Sequence, residues 1–162
     1  MSVAAHVQEL GAMLRARQQW ICVAESCSGG LLAAALTDLP GSSAWFAYGW
    51  VVYGNEAKEG CLGVDAALIA EHGAVSLEVV QAMLHGALQR SGADWAIATS
   101  GIAGPQGGTA DKPVGTVCLG LGRRGQPARL ERHHFDGDRQ EVRRRTVERA
   151  LALAVECLNN CT

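Results

Sequence analysis

Residues 20–36 constrain the fold more than any other stretch. Trp20 to Ala24 is a short apolar run, Glu25-Ser26-Cys27-Ser28-Gly29-Gly30 is a turn with two glycines, and Leu31 to Leu36 is apolar and ends near Leu39-Pro40. Strand, tight turn and helix in that order open an α/β layer. The pattern continues in both directions. Val3, Val7, Leu10, Met13 and Leu14 recur at helical spacing and predict a first helix to about residue 17. Asp65 and Ser76 read as helix N-caps, and Val79, Val80, Met83, Leu84, Ala87 and Leu88 predict an amphipathic helix to about Arg90. Asp94 to Thr99 is a strand, Ser100 to Pro113 a loop, and Val114 to Leu121 and Leu130 to Phe135 a hairpin. Asp138 starts a final helix through Val142, Thr146, Ala150, Leu153 and Leu158. Helices that alternate with strands and then yield to a hairpin imply a three-layer α/β/α sandwich with a mixed sheet. No repeat or linker interrupts residues 1–162, so one domain is expected.

The chemistry gathers in residues 40–58. Pro40-Gly41 fixes a turn ahead of Ser42 and Ser43, Tyr53 ends an apolar run, and Lys58 is one of only two lysines. A serine becomes a nucleophile when a base takes its proton, and a buried lysine amine can be that base. Eleven residues from Ser43 to Gly54 would span about 36 Å if fully extended. Lys58 therefore reaches Ser43 only if residues 42–48 coil, or if the two meet across a subunit interface. A helical turn at 42–47 followed by a strand at 49–53 is the expected arrangement, with Asn55 capping the next helix.

Two glycine-bearing turns are further candidates. Glu25 to Gly30 leads into a helix, where free N–H groups attract anions and Ser26 and Ser28 add hydroxyls. It is neither a Walker motif nor G-x-G-x-x-G. Cys27 at this entrance is a candidate thiolate. Ser100-Gly101-Ile102-Ala103-Gly104-Pro105-Gln106-Gly107-Gly108 follows a strand and is long for a loop. Arg139 or Arg143 can hold a phosphate with a guanidinium fork. The five histidines are scattered, and His133 and His134 point to opposite faces of a strand, so no histidine base is assigned.

Composition removes other classes. A net charge of −2 carries no nucleic-acid signature, although nine of the fourteen Lys and Arg residues follow residue 122. The six cysteines form no C-x-x-C pair or zinc spacing, so no metal site is expected. No apolar run is long enough to span a membrane, and residues 1–20 carry charges in place of a signal peptide's apolar segment. A cytoplasmic protein is expected.

Six stretches together resemble the CinA C-terminal-domain family, the nicotinamide-nucleotide amidohydrolases or NMN deamidases. They are Ala24-Glu25-Ser26-Cys27-Ser28-Gly29-Gly30, Pro40-Gly41-Ser42-Ser43, Tyr53-Gly54-Asn55-Glu56-Ala57-Lys58, Ser100-Gly101-Ile102-Ala103-Gly104-Pro105, Lys112-Pro113-Val114-Gly115-Thr116-Val117 and Gly137-Asp138-Arg139. The resemblance implies hydrolysis of the carboxamide of nicotinamide mononucleotide to nicotinate mononucleotide and ammonia, without metal or organic cofactor. It makes Ser43 the nucleophile, Lys58 its base and Tyr53 an assistant, with Ser42 competing as nucleophile. Glu25, Ser26, Ser28, Gly29, Gly30, Ser42, Ser100, Gly101 and Arg139 become the substrate-binding set. Ser100 stands where relatives often have threonine, and Gly54 where serine is common. The implied partners are a small nucleotide substrate and a second subunit in a homodimer, with no direct nucleic-acid or membrane binding. The large N-terminal domain of some relatives has no room here, so its activity is not expected. The alternative reading is a non-catalytic nucleotide-binding module of the competence and damage-inducible type.

Overall fold

The computed structural model describes residues 1–161. In chain order the elements are α1 (Val3–Arg17), β1 (Ile21–Glu25), α2 (Leu31–Thr37), a 3₁₀ turn (Ser42–Ala44), β2 (Phe46–Val51), α3 (Asn55–Leu62), α4 (Ala66–His72), α5 (Leu77–Ser91), β3 (Trp95–Gly101), β4 (Thr116–Arg123), β5 (Arg129–His134) and α6 (Arg139–Asn159). The five strands form one sheet in the order β2-β1-β3-β4-β5. β1 runs parallel to β2 and β3, and β4 and β5 are antiparallel additions. This is the expected mixed sheet, covered on both faces by helices.

Each face has its own core. Leu10 and Leu14 of α1, Leu32 and Leu36 of α2, and Leu151, Leu153 and Leu158 of α6 pack on Val23, Ile97 and Leu119. Leu62 of α3, Ile69 of α4 and Val79, Val80, Met83 and Leu84 of α5 pack on Cys22, Ala24, Ala96, Ala98 and Cys118. Strands β1, β3 and β4 are buried on both sides, which explains their nearly unbroken apolar sequence. The expected caps are present at Asp65, Ser76 and Asp138, whose side chains accept from Ala67 N, Val79 N and Glu141 N. Asn55 is not a cap: it is the first helical residue of α3, and Gly54 holds the cap position with no side chain to bond.

One local difference repositions the chemistry. The helical turn expected over 42–47 is only Ser42–Ala44, and β2 starts at Phe46. Trp45, 1% exposed, is the reason. Its ring lies against α1 so closely that a Cβ on Gly11 would sit 3.0 Å from it. Its carbonyl accepts from Ile21 N at 2.9 Å, which pins the chain to the start of β1. The chain then has no slack left for further helix. β2 is six residues long and rises about 20 Å at 3.3 Å per residue.

Candidate active site

The first strand turns left to β2 and the chain returns to β3 on its other side, so β1 and β3 bound a topological switch point. Ligands of open α/β sheets bind beyond the carboxyl ends of strands at such a point. Ser26 stands there, one residue past β1, its N–H donating to Thr99 O of β3 at 3.0 Å. Lys58 comes to it from the first turns of α3. The amine lies 3.0 Å from Ser26 Oγ, 2.9 Å from Val52 O and 3.2 Å from Tyr53 O. Lys58 is 1% exposed and Ser26 7%. Burial lowers the Lys58 pKa from its ordinary 10.5, and a smaller influence of Cys27 opposes it. Its three polar partners are two carbonyls and a hydroxyl, none of them a carboxylate. The amine donates to all three, and the Ser26 hydroxyl donates to Tyr53 O at 3.4 Å. Moving a proton from Ser26 to Lys58 therefore requires the amine first to give up a hydrogen and turn a lone pair toward Oγ.

The turn behind Ser26 is filled by the protein itself. Glu25, fully buried, folds its carboxylate under α2, where it accepts from Leu32 N at 2.9 Å and Ala33 N at 3.0 Å. These are the amides that an anion was expected to use. Ser28 is also fully buried, its hydroxyl 2.7 Å from Thr99 Oγ1. Arg143 braces the turn from outside through Cys27 O and Ser28 O, and its guanidinium occupies the space a Cβ on Gly29 would need. Glu25, Ser28 and Gly29 therefore shape the site without facing it. Gly30 begins α2 at φ 100°, beside Val51. Burial raises the Cys27 thiol to about 11, so the thiolate reading fails: at neutral pH this sulfur stays protonated.

Tyr53 and Arg139 form the rim. Arg139, the first residue of α6, donates to Gly104 O and to the Tyr53 hydroxyl, each at 2.8 Å. The contact ties the loop after β3 to the end of β2. Tyr53 is 58% exposed, so its ring stands at the mouth while its carbonyl holds Lys58. Ser100 is turned away from the dyad: its buried hydroxyl donates to Ala74 O and holds the segment between α4 and α5. Gly101 is a packing position, where a Cβ would meet Cys27 Sγ at 3.0 Å and Thr116 O at 3.1 Å.

Ser42 and Ser43 lie elsewhere. They precede β2 and so sit at the amino end of the parallel strands, whereas Lys58 follows β2 and sits at the carboxyl end. Within one chain, β2 separates them, and the hydroxyl that meets the lysine is Ser26. Sequence reasoning had Ser26 among the binding residues and missed this pairing. The available signal was its place immediately after a buried parallel strand.

The model of the CinA C-terminal domain matches residues 3–158. A protein of Pseudomonas putida named nicotinamide-nucleotide amidohydrolase PncC is 53% identical over 142 residues, 88% of each chain. A CinA-like protein of Citrifermentans bemidjiense is 52% identical over 88% of this chain, but the chain spans only 34% of that longer relative. The crystal structure of the competence damage-inducible protein A of Klebsiella pneumoniae superposes over the whole of both chains with a TM-score of 0.96 at 40% identity. By sequence, and by a fold matched over its whole length, the chain belongs to the CinA C-terminal domain family.

Proposed function

We propose that this chain is an amidohydrolase that cleaves the carboxamide of nicotinamide mononucleotide, giving nicotinate mononucleotide and ammonia, with Ser26 as nucleophile and Lys58 as general base. The observation that carries it is the buried amine 3.0 Å from a serine hydroxyl at the switch point of the sheet. The substrate class follows from family membership and from the Pseudomonas putida relative's name. Neutral Lys58 takes the Ser26 proton as the oxygen attacks the amide carbon. The carbon–nitrogen bond breaks as Lys58 returns the proton to the departing ammonia. Water then attacks the acyl-serine ester and gives its proton to Lys58, the bond from the acyl carbon to Ser26 Oγ breaks as Lys58 returns that proton to Oγ, and nicotinate mononucleotide leaves. Arg139 presents a guanidinium beside the Tyr53 hydroxyl, and it is the group proposed to meet the phosphate of the nucleotide. The proposal calls on no metal or organic cofactor. Six free thiols suit a reducing cytoplasm, and the working unit is taken as a homodimer.

Ammonia release from nicotinamide mononucleotide tests the reading. Ser26→Ala and Lys58→Ala are each expected to lower kcat/KM about 10²- to 10⁴-fold, the range of a general base. Substrate binding without turnover in the unmodified protein would instead identify a nucleotide-binding module.

A further inference from the structure

The far end of α6 carries two thiols that the dyad does not use. Of the six cysteines, Cys22, Cys27 and Cys118 are buried in the two cores, and Cys61 is exposed on α3. Cys157 and Cys161 are each half-buried and lie four residues apart. Cys157 belongs to the last turn of α6. Cys161 follows the cap residue Asn160, its N–H donating to Leu158 O at 3.2 Å. Both thiols line one cavity of about 270 Å³, together with Trp95, Arg123 and Arg129. Arg129 brings a nitrogen to 4.0 Å from Cys157 Sγ while also facing Glu131 and Glu156. Arg123 lies over the Trp95 ring, 5.1 Å from its centroid, and makes no ion pair among the described residues. Burial pushes the Cys157 thiol up, Arg129 opposes it, and the Cys161 sulfur adds to the rise, so the two sulfurs feel each other.

We propose that Cys157 and Cys161 form a thiol–disulfide exchange site for a small disulfide that carries carboxylates, the oxidised form of an acidic peptide thiol, and that the exchange ends in a Cys157–Cys161 bond. The Cys161 thiolate attacks one sulfur of the reactant. The reactant's S–S bond breaks, and one thiol leaves with the proton that Cys161 gave up. Cys157 then attacks Cys161 Sγ, the mixed disulfide breaks, and the second thiol leaves with the Cys157 proton. Two electrons pass from the protein's sulfurs to the reactant, which ends as two thiols. Cys161 attacks first because burial keeps Cys157 protonated. Side chains four apart on a helix have Cβ atoms about 5–6 Å apart, and a disulfide needs about 3.5–4.5 Å. Closure therefore draws the two residues together by roughly 1–2 Å. Cys161 is the one placed to move. It stands past the cap, held by Leu158 O and by Arg17, which donates to its carbonyl at 2.9 Å. Arg123 supplies the selection, since a guanidinium without a carboxylate in the cavity wall suits a carboxylate of the reactant. The cavity is smaller than the usual site for a drug-sized ligand, so one arm of the reactant enters and the other stays in water. The 21 residues of α6 span about 30 Å and separate this site from Arg139, so the proposal does not depend on the amidohydrolase reading.

Mass spectrometry reads the outcome. Trypsin releases residues 150–162, which hold both thiols and no other cysteine. The folded protein is incubated with excess glutathione disulfide, and remaining thiols are then trapped with a maleimide. The peptide is expected to be unlabelled and two hydrogens lighter, while exposed Cys61 in the same sample carries a mixed disulfide. Cys157→Ser should stop the exchange with one tripeptide on Cys161, and Cys161→Ser should leave Cys157 a free thiol. Rates are taken relative to Cys61. Cystamine, a disulfide with ammonium groups and no carboxylates, should react up to about fivefold more slowly, and Arg123→Gln should remove that difference. A peptide that keeps both thiols while Cys61 is modified, or that collects two mixed disulfides, overturns the exchange site. Equal relative rates for the two disulfides in the unmodified protein overturn the choice of an acidic reactant.

Discussion

Two serine-bearing turns flank the sheet at opposite ends, and their surroundings give them different chemistry. Ser26 leaves a strand buried on both faces, and its hydroxyl meets a desolvated amine. Ser42 and Ser43 enter an edge strand, and Ser43 is exposed. Alcohols of the same intrinsic acidity are activated only where water has been removed from a neighbouring base. The largest expected effect tests that contrast directly. Ser26→Ala should cost about 10²- to 10⁴-fold in kcat/KM. Ser43→Ala, on an exposed turn at the other end of β2 from Lys58, should leave kcat/KM close to that of the unmodified protein. Equal losses would break the comparison and return the nucleophile's role to Ser43, reaching Lys58 of another subunit.

The pH dependence sharpens the same contrast. If the base is a neutral Lys58, kcat/KM rises about tenfold per pH unit until the pH reaches the lowered pKa, which lies below 10.5. Stability follows the same group. Between its folded and unfolded values the unfolded chain binds more protons, so Lys58 makes folding more favourable as pH rises through that window. Buried Cys22 and Cys27, both raised to about 11, act with the opposite sign, because the folded chain keeps their protons longer. The clean readout is the difference between unmodified protein and Lys58→Met. Lys58→Met should be the more stable at neutral pH, and its advantage should shrink as pH rises. An advantage independent of pH would show that the amine is not desolvated.

The fold was legible because its signals are local. Asp65, Ser76 and Asp138 cap their helices with their own side chains, and apolar spacing announces the helices that follow Ser76 and Asp138. The site was less legible because its decisive contacts are distant in sequence. Ser26 and Lys58 are 32 residues apart, and only the length of β2 decides which serine the amine reaches. That length depends on Trp45 packing against Gly11, a contact that no spacing rule within residues 40–58 contains. The anion site expected at α2 failed for a similar reason. Its ligand is Glu25, whose place in the motif looked like part of a binding turn.

That carboxylate gives the next prediction in size. Glu25→Gln keeps the shape but offers one acceptor oxygen where two amides now donate, and turns an amide N–H toward the other. The buried mismatch should lower stability by about 1–3 kcal/mol in urea unfolding. If Glu25 instead held substrate, the change would appear in KM and leave the unfolding midpoint alone.

The smallest expected effect separates the two ends of Tyr53. Its carbonyl holds Lys58 at 3.2 Å, while its hydroxyl, far out on an exposed ring, meets Arg139 at 2.8 Å. Tyr53→Phe removes only the second contact, so the dyad should keep its geometry and kcat should change little. Arg139 loses one of its two anchors, keeping Gly104 O, and its guanidinium becomes less well placed at the rim. A loss of about 1 kcal/mol predicts a roughly fivefold rise in KM. Arg139→Ala, which removes the charge as well, should raise KM further with the same small change in kcat. A fall in kcat on Tyr53→Phe would instead place the phenol among the groups that move the proton, joining the rim to the buried dyad.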